Sequence, residues 1–547
     1  MANIVVCPEP LAAEAGAQIF EKGGNAVDAM VAASIAQGVV NPLLCGIGGT
    51  GWVHLWWESE NRDVSIETDT GIPSKARPDS FEYYWDDDGM LKVLNNENSV
   101  GYKASIAPDF LKVLFDTHEH YGRLEWYDCL QPAINLARNG FRIYPYVERW
   151  IAGMAIQRAQ ASTITKSAAD IFTKNGEPYK RGDLFIQSDY AHTLEKVAEN
   201  GVDIFYKGEI ADIIAEDFEK HHGFITRKDL EGIETKFRDP YRTNYNEYTI
   251  STDRIPGMGL MLIEMMNILE GFDLKELRWN SPKYLDTLVR TMNISLADRF
   301  RYSRDPNFFP EAEKNVSRIM SKDHASKMIE MIKSGEDNAL PSSLDILRSS
   351  IERSGVVYNN PSHHGTTDLD VIDSDGNVAS ITHSSVSGSG VVTPGLGFIW
   401  NSYMGGIWRY QIVNDQYDIR PGKRHLGGGG PGFVFKDGKF VMVTGSPKGY
   451  YGYIGQMEAM IHVLNFNMDM QQAVSAPRID GVGYEKDVHL EYNFPYPYPW
   501  KNLESLGHKI TIVYHTSRVG GILKNLKTGD VEGGTDPRGG AGLAIVR

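Results

Sequence analysis

A glycine followed by two threonines, Gly365, Thr366 and Thr367, is the stretch of this chain whose residue types suggest covalent chemistry. A threonine hydroxyl becomes a nucleophile when a base removes its proton, and the α-amino group of the same residue can act as that base once the preceding peptide bond is cut. An α-amino group titrates near pH ~7.7–8.0, so it is a competent base at neutral pH. Gly365 would favour the cut, because glycine permits backbone conformations that expose or strain the bond before Thr366. Thr366 is therefore a candidate N-terminal nucleophile, although a threonine pair that only begins a β-strand accounts for the same residues.

The elements that must position this stretch are predicted strands in the last third of the chain. From about Val356 onward, apolar segments alternate with Gly, Asp-Gly and Pro-Gly turns, which is typical of strands. Helical patterns dominate from Asp109 to about Glu352, and strand signals also occur in the first hundred residues. If the two strand-rich parts belong together, helices cover sheets in an α+β layered architecture. The polar segment 334–355 lies shortly upstream of the threonine pair, where a cleavable connection would have to be.

Length, charge and cysteine content exclude several classes of protein. At 547 residues the chain exceeds the ~250–300 residues of a single core, so we expect several domains or one two-lobed assembly. The net charge of −16, without a basic stripe, argues against a nucleic-acid partner. The three cysteines have neither a disulfide framework nor metal-ligand spacing, and we expect them to be small buried hydrophobic residues. No apolar run approaches the ~20 residues of a membrane span and no signal-peptide pattern is present, so we expect a cytoplasmic protein without a membrane partner.

Two other motifs suggest ligand binding but have simpler interpretations. The glycine-rich segment 427–432 lacks the Lys-Ser/Thr of a P-loop and the spacing of a dinucleotide fingerprint, so we interpret it as a turn that lines the pocket for an acyl group attached to Thr366. His363, His364 and His383 lack the spaced carboxylates or cysteines of a metal site, and we interpret them as solvated loop histidines. The sequence therefore predicts neither a metal nor a cofactor.

Motifs along nearly the whole chain resemble the γ-glutamyltranspeptidase family of N-terminal nucleophile (Ntn) hydrolases. Twelve of them occur in the family's order, among them KGGNAVDAMVAASIAQGVVNP, LADRFRYSRDP, TTDLDVIDSDGNVASIT, PGKRHL and TDPRGGAG. The resemblance implies an α+β fold, the four-layer αββα sandwich, made as an inactive precursor that cleaves itself. The matching cleavage site lies between Gly365 and Thr366, which gives a large subunit of residues 1–365 and a small subunit of residues 366–547. The two would remain together as a heterodimer, with a dimer of heterodimers left open.

The resemblance also implies roles for individual residues. Thr366 would become the catalytic N-terminal nucleophile, and Ser384, with Thr382 beside it, matches the hydroxyl residue that orients the nucleophile's amine. Lys448 and Gly449 match the glycine pair whose backbone amides form the oxyanion hole. A lysine at this place leaves the backbone donor intact, because the side chain is not the donor.

The residues that would hold a γ-glutamyl group depart from the family pattern. Asp69 falls where the family has the arginine that binds the substrate α-carboxylate, and a carboxylate there would repel that group. Tyr403 and Gly406 stand in place of the glutamine and the aspartate of the segment that holds the substrate α-amine, and Gly427-Gly428 replace a serine pair. Without these three sets of binding residues, the α-carboxylate and α-amine charges of a bound γ-glutamyl group would be poorly compensated. Tyr450 is a candidate pocket wall close to the implied oxyanion hole.

The sequence therefore predicts a self-processing amidohydrolase that cleaves a small-molecule amide through a Thr366 acyl-enzyme, with a non-glutamyl acyl group. Water is the expected acyl acceptor, and an amine is the alternative. A genuine glutathione hydrolase or γ-glutamyltransferase is a second hypothesis. A catalytically dead homologue that acts as a binding protein is a third.

Overall fold

The computed structural model describes residues 2–85, 91–148, 151, 165–336, 365–407, 418–424, 427, 429–481, 487–494, 500–514, 516–539 and 542–547. The chain divides into two units. The first comprises Met1–Arg238, Gly355–His425 and Gly540–Arg547, and the second comprises Asp239–Ser354 and Leu426–Gly539. Both units therefore contain residues from before and after the predicted cleavage site, so the two units are not the two predicted subunits. The division into subunits 1–365 and 366–547 remains a prediction.

The strands, numbered in chain order, are short and mostly buried. They are β1 (Ile4–Cys7), β2 (Thr50–Trp57), β3 (Arg62–Thr68), β4 (Tyr83–Trp85), β5 (Leu91–Val93), β6 (Phe141–Arg142), β7 (Thr173–Lys174), β8 (Glu177–Pro178), β9 (Leu184–Phe185), β10 (Thr235–Arg238), β11 (Tyr241–Tyr245), β12 (Tyr248–Thr252), β13 (Thr366–Ile372), β14 (Val378–Ser384), β15 (Gly432–Lys436), β16 (Lys439–Gly445), β17 (Ile479–Asp480), β18 (Asp487–Glu491), β19 (Lys509–Val513), β20 (Gly520–Lys524), β21 (Val531–Thr535) and β22 (Leu543–Val546).

The helices fill most of the middle of the chain, as the sequence pattern predicts. They are α1 (Pro10–Glu21), α2 (Ala26–Val40), α3 (Phe110–Tyr121), α4 (Trp126–Asn139), α5 (Lys166–Phe172), α6 (Ser188–Asn200), α7 (Asp203–Tyr206), α8 (Glu209–Lys220), α9 (Arg227–Glu231), α10 (Gly259–Leu269), α11 (Leu274–Leu277), α12 (Pro282–Tyr302), α13 (Ala312–Ile319), α14 (Lys322–Ser334), α15 (Met404–Ile407), α16 (Tyr450–Phe466), α17 (Met470–Ser475) and α18 (Trp500–Ser505). Short 3₁₀ turns occur at Glu58–Glu60, Leu94–Asn96, Tyr102–Ala104 and Pro537–Gly539.

The first unit is built on an antiparallel sheet of seven strands in the order β10-β3-β2-β14-β13-β1-β22. One face is apolar and packs against α1 to α4 in a single buried core. Helix α2 is buried along its whole length because its residues are small and apolar, and Asn25 and Asp28 form a capping box at its start. The other face carries buried polar side chains, since successive residues of a strand point to opposite faces. They include Thr50, His54, Ser65, Glu67, Asp368, Asp370, Ser380, Thr382 and Ser384.

The second unit has an antiparallel sheet of six strands in the order β11-β12-β15-β16-β20-β21. Helices α10, α12 and α16 share a buried core with residues of β12, β15 and β16. A smaller sheet, β17-β18-β19, belongs to the same unit. Each unit therefore combines a sheet with covering helices, which is the α+β organisation that the sequence predicts.

Short strands interrupt the region where helical patterns dominate, and β11 and β12 form the longest hairpin among them. Strands β11 and β12 pair from Tyr241 with Thr252 to Tyr245 with Tyr248, and Asn246 in the turn has a left-handed φ of 52°. Asparagine tolerates this conformation better than other non-glycine residues. The sequence analysis missed the hairpin, although β11 alternates between buried and exposed residues, because its strands are only five residues long and lie between helical segments. Among the described helices, none is long and apolar enough to cross a lipid bilayer.

Candidate active site

Three hydroxyl residues lie in one row across the middle of the seven-stranded sheet. Thr366 is the first residue of β13 and is paired with Ser384 on β14, which is paired in turn with Thr50 on β2. Adjacent strands are ~4.8 Å apart, so the three side chains are neighbours on the polar face. The Thr366 Oγ1 and Ser384 Oγ atoms are 3.0 Å apart.

Both backbone polar groups of Gly365, the residue before Thr366, form hydrogen bonds. The Gly365 carbonyl oxygen accepts from the Ser384 hydroxyl and, at 3.0 Å, from the Val386 N–H. The Gly365 N–H donates to Ser387 Oγ at 3.0 Å. Because a serine hydroxyl has one proton and Ser384 gives it to Gly365, Thr366 is the donor in the contact between the two hydroxyls.

Only glycine fits at position 365. A Cβ atom there would lie 2.4 Å from the Ser387 nitrogen and 2.8 Å from its Cα. The approach is this close because Val386 and Ser387 have left-handed φ angles of 51° and 75°, which turn the backbone towards Gly365. The sequence analysis assigned Gly365 a conformational role, whereas the structure shows that it makes room for the chain that binds its peptide group.

Thr367 faces the opposite side of the sheet from Thr366. Its Oγ1 accepts a hydrogen bond of 2.6 Å from Nε2 of Gln37 on helix α2, and the same amide nitrogen donates to Glu9. Oε1 of Gln37 lies 2.6 Å from Nε2 of His383. Thr367 is therefore a structural residue, and Gln37 ties the two central strands to the helix layer.

His383 is not a solvated loop histidine, and that interpretation of the sequence is wrong for this residue. It lies within β14, is fully buried and stacks on Phe110 with the ring centroids 4.7 Å apart. Burial lowers the pKa of His383 to about 3. The neutral imidazole must carry its proton on Nε2, since the amide oxygen of Gln37 can only accept. His363 and His364 lie outside the described residues.

Thr382 and Ser384 share the polar face, but only Ser384 reaches Thr366. Thr382 is paired with Asp368, two residues along the hairpin, and its Oγ1 has no hydrogen-bond partner in the described part of the chain. Of the two predicted orienting residues, the geometry thus favours Ser384.

Tyr403 borders the hydroxyl row. Its hydroxyl lies near those of Ser384 and Thr50, and burial raises its pKa. Its ring centroid is 6.3 Å from that of Trp52 on β2, which shares the polar face. The sequence analysis placed Tyr403 in the substrate pocket and missed its reach to Ser384, because the two residues are far apart in the chain. A cluster of apolar residues surrounds it: Ile72, Ala76, Phe81, Val93, Ile106, Phe224, Met404 and Ile419.

Asp69 follows β3 directly, at the end of the sheet where Thr50 begins the antiparallel β2. Its Oδ1 lies 2.7 Å from Nη2 of Arg238 and 3.1 Å from Nη1 of Arg424. The same two arginines also pair with Glu67. Burial alone would raise the pKa of Asp69, but the hydrogen bond from Arg238 and the charge of Arg424 outweigh it and lower that pKa.

The sequence analysis missed both arginines, since neither is near Asp69 in the chain. The two arginines balance the charges of Glu67 and Asp69, so the four side chains together are neutral. Asp69 is therefore a member of an ion-pair cluster rather than an isolated negative charge.

Three of the remaining predicted residues lie in the second unit, at a helix start. Lys448 and Gly449 have left-handed φ angles of 87° and 60° and directly precede α16. The N–H groups at a helix start lack intrahelical acceptors, so this turn presents backbone donors. The Lys448 ammonium donates to the Thr516 carbonyl at 2.6 Å and lies 4.9 Å from the Tyr451 ring centroid, and burial lowers its pKa. Tyr450, the first residue of α16, packs on Tyr451.

The predicted glycines supply no side chain that could bind a charged group. Gly406 lies in helix α15, and Gly427 belongs to the second unit. Gly428 lies outside the described residues.

The chain matches one family model and several related proteins over most of its length. The family model described as Gamma-glutamyltranspeptidase matches residues 12–546. The glutathione hydrolase proenzyme of Bacillus subtilis (strain 168) is 30% identical over 558 residues, which cover 99% of this chain and 91% of that protein. The Acylase ACY 1 proenzyme of Pseudomonas sp. (strain V22) is 31% identical over 481 residues, which cover 87% of this chain and 82% of that protein.

Solved structures extend the match to the fold. The crystal structure of cephalosporin acylase from Bacillus halodurans has a TM-score of 0.84 and 25% identity, and covers 100% of this chain and 95% of that chain. The Helicobacter pylori gamma-glutamyltranspeptidase structure has a TM-score of 0.54 and 30% identity, over 59% of this chain and 90% of that chain. The predicted α+β fold class of the Ntn hydrolases is confirmed.

Proposed function

This chain belongs to the gamma-glutamyltranspeptidase family, and we propose that it is a self-processing amidohydrolase whose nucleophile is Thr366. One continuous set of contacts carries the proposal. The Thr366 hydroxyl donates to Ser384 Oγ across 3.0 Å, and the Ser384 hydroxyl donates to the carbonyl oxygen of Gly365. A nucleophile, a proton acceptor and a polarised carbonyl are thus adjacent at the bond that must break.

Self-cleavage follows from these contacts. Thr366 Oγ1 adds to the Gly365 carbonyl carbon while its proton passes to Ser384, whose own proton moves to the developing oxyanion. The Val386 N–H stabilises the same oxygen. The proton of the tetrahedral hydroxyl then passes to the nitrogen, the C=O bond re-forms as the C–N bond breaks, and this leaves the free amine of Thr366 and the Gly365 acyl group as an ester on Oγ1. Water hydrolyses the ester, which releases the Gly365 carboxylate and the Thr366 hydroxyl.

Turnover repeats this chemistry on a substrate amide. The free α-amine of Thr366 takes the proton of Oγ1 as this oxygen attacks the substrate carbonyl carbon. The amide C–N bond then breaks, the amine half of the substrate leaves with that proton, and the acyl half stays as an ester on Oγ1. Water, activated by the same amine, hydrolyses the acyl-enzyme, and an amine acceptor in its place would give transfer. Assignment of the oxyanion hole to the backbone amides of Lys448 and Gly449 rests on the family resemblance and the helix start that they precede.

The surroundings of the hydroxyl row support an acyl group other than γ-glutamyl. Both guanidinium groups near Asp69 already face carboxylates, so a substrate α-carboxylate would have to displace Asp69 to gain a bidentate partner. Gly406 has no side chain with which to hold an α-amine. Tyr403 and Trp52 instead offer aromatic surface beside Ser384. We propose a small, uncharged or aromatic acyl group; relatives named acylases occur beside those named glutathione hydrolases.

A genuine glutathione hydrolase is the second candidate, because several relatives carry that name at similar identity. Release of p-nitroaniline from γ-glutamyl, phenylacetyl and acetyl anilides separates the two. Preferred turnover of the uncharged anilides supports our proposal, and preferred turnover of the γ-glutamyl anilide supports glutathione hydrolase.

Self-cleavage is tested on a denaturing gel of the purified full-length chain. In proportion to 365 and 182 of 547 residues, the 61.1 kDa chain should give bands of about 41 and 20 kDa. Thr366→Ala should leave one uncleaved chain, and Thr366→Ser, which keeps the hydroxyl, should restore the two bands. A wild-type chain that stays whole and turns over no amide would favour the binding-protein hypothesis instead.

A further inference from the structure

A second group of chemistry-bearing side chains lies in the helices of the second unit and plays no part in the proposed reaction. Helices α10, α12 and α14 pack together, and each contributes one residue to the group: Glu264, Asp298 and His324. Nε2 of His324 lies 2.9 Å from Oε1 of Glu264 and 3.1 Å from Oδ2 of Asp298. One imidazole nitrogen is thus directed between two carboxylate oxygens.

These separations fit ligands of a common metal ion. Metal–nitrogen and metal–oxygen bonds of roughly 2.0–2.2 Å place two ligand atoms roughly 2.8–3.1 Å apart in an octahedral site and roughly 3.3–3.6 Å apart in a tetrahedral site. The Glu264, Asp298 and His324 ligand atoms all lie within 4.8 Å of one another. The three atoms are therefore close enough together to be directed at one ion.

The charges of the group also favour a cation. Glu264 is fully buried, and Asp298 is nearly so. One imidazolium would leave the two carboxylates with a net negative charge in the helix core, and burial of such a charge is costly. Arg301 contributes weakly, since its Nη1 lies 3.8 Å from the other Asp298 oxygen. A divalent ion with neutral His324 would balance the two carboxylates completely.

One further observation points to a missing ligand of Glu264. By hydrogen-bond geometry, its second oxygen, Oε2, is buried without a partner in the part of the chain that the structure describes. The nearby Ser295 hydroxyl donates to the Met261 carbonyl at 3.1 Å and is therefore not available to Oε2. Buried carboxylate oxygens normally have a partner.

A comparable group in the first unit lacks this feature. Asp28, His118 and Cys129 are also close together and buried. Both oxygens of Asp28, however, already accept hydrogen bonds from the backbone N–H groups of Asn25, Arg123 and Leu124. Asp28 therefore already stabilises the start of α2 and the loop at Arg123 and Leu124. For this reason the group does not indicate a metal site.

We propose that Glu264, Asp298 and His324 bind one divalent transition-metal ion, of the Zn²⁺ or Mn²⁺ class. A mixed set of one imidazole and two carboxylates suits these ions better than Mg²⁺ or Ca²⁺, which prefer oxygen ligands alone. His324 is 14% exposed, which gives the ion a path from solvent. The ion would join three helices and stabilise the second unit, independently of the reaction at Thr366.

The test uses the full-length protein, treated with EDTA and then titrated with ZnCl₂ or MnCl₂. We expect about one metal ion per chain by elemental analysis. We also expect a rise in melting temperature of about 3 °C or more at ion concentrations well above the dissociation constant. His324→Gln and Glu264→Gln should each abolish the bound metal and the rise.

His508→Gln is the matched control, since His508 has the same 14% exposure but faces a single carboxylate, Asp286. This variant should retain metal binding. If His324→Gln fails to fold, Glu264→Gln and the EDTA-treated wild type still decide the question. The proposal would be overturned if the wild type bound no metal and showed no rise in melting temperature, or if folded His324→Gln bound metal fully. Glu264, Asp298 and His324 would then form only a hydrogen-bonded ion-pair group.

Discussion

At the scale of single residues, Ser384 is the residue on which the proposed self-cleavage depends. Its one proton goes to the Gly365 carbonyl, so its oxygen is left to accept the proton of Thr366. A single hydroxyl thereby activates both the nucleophile and the carbonyl. Ser384 lies opposite Thr366 in the β13–β14 hairpin, so the backbone pairing of the hairpin determines this geometry.

We expect Ser384→Ala to slow self-cleavage by about 10²–10³-fold, the usual cost of removing one donor to a developing oxyanion. The measurement is the rate at which the uncleaved chain disappears on a denaturing gel after synthesis. Ser384→Thr should retain most of the rate. Thr382→Ala is the matched control on the same strand face, and a larger loss in that variant than in Ser384→Ala would contradict the assignment.

His383 gives a prediction about pH. Its folded pKa of about 3 lies below the ordinary value of 6.5, so between these pH values the unfolded chain binds a proton that the folded chain does not. Stability contributed by neutral His383 is therefore complete above pH ~6.5 and is lost as the pH falls towards 3, by about 1.4 kcal/mol per pH unit. Denaturant unfolding at pH 7, 6 and 5 should show a smaller loss for His383→Gln than for the wild type. An equal loss in both proteins would contradict the assignment.

At the scale of elements, helix α2 and the β13–β14 hairpin are joined by a polar contact inside an apolar core. Gln37 reaches Thr367 on one strand and His383 on the other, and its amide also meets Glu9. Buried polar groups of this kind specify register, because a one-residue slip would bring Thr366 or Ser384 to the helix and turn the nucleophile away from the polar face.

We expect Gln37→Leu to destabilise the protein by about 1–3 kcal/mol, because it leaves buried polar partners unsatisfied. It should also slow self-cleavage, since the hairpin loses its anchor. Gln187→Leu is the matched control: Gln187 is equally buried in the first unit and donates to the Val39 carbonyl, away from the hairpin. Denaturant melts and cleavage rates of both variants provide the comparison. Equal slowing by the two variants would mean that Gln37 acts only through stability.

At the scale of the whole molecule, the order of strands explains why cleavage would not separate the chain. In the seven-stranded sheet, strands that precede residue 365 pair with strands that follow it at three places: β2 with β14, β1 with β13, and β1 with β22. In the six-stranded sheet, β12 before the cleavage point pairs with β15 after it. Separation of the two parts would break strand ladders in both sheets.

We therefore expect the cleaved parts to elute together in native size-exclusion chromatography, and to separate only in denaturant. The same sample on a denaturing gel should show both bands. Elution of the small part alone under native conditions, at any salt concentration, would contradict this prediction, because hydrogen-bonded ladders inside a core are little affected by ionic strength.

The sequence by itself determined the general distribution of helices and strands and the candidate nucleophile. Thr366 after Gly365, the strand signals of the last third and the helical middle follow from local residue preferences and from motif order, and the family model and fold confirm the family and the α+β class. It also predicted which family positions lack their charged side chains, since that depends only on residue identity.

Only the tertiary structure decided which side chains meet. The choice of Ser384 over Thr382, the buried neutral state of His383, and the pairing of Asp69 with Arg238 and Arg424 depend on strand register and on residues far apart in the chain. The group of Glu264, Asp298 and His324 likewise exists only because three helices pack together. Local residue patterns fix which face of an element is apolar, but contacts between elements arise from packing, and no single segment of the sequence contains them.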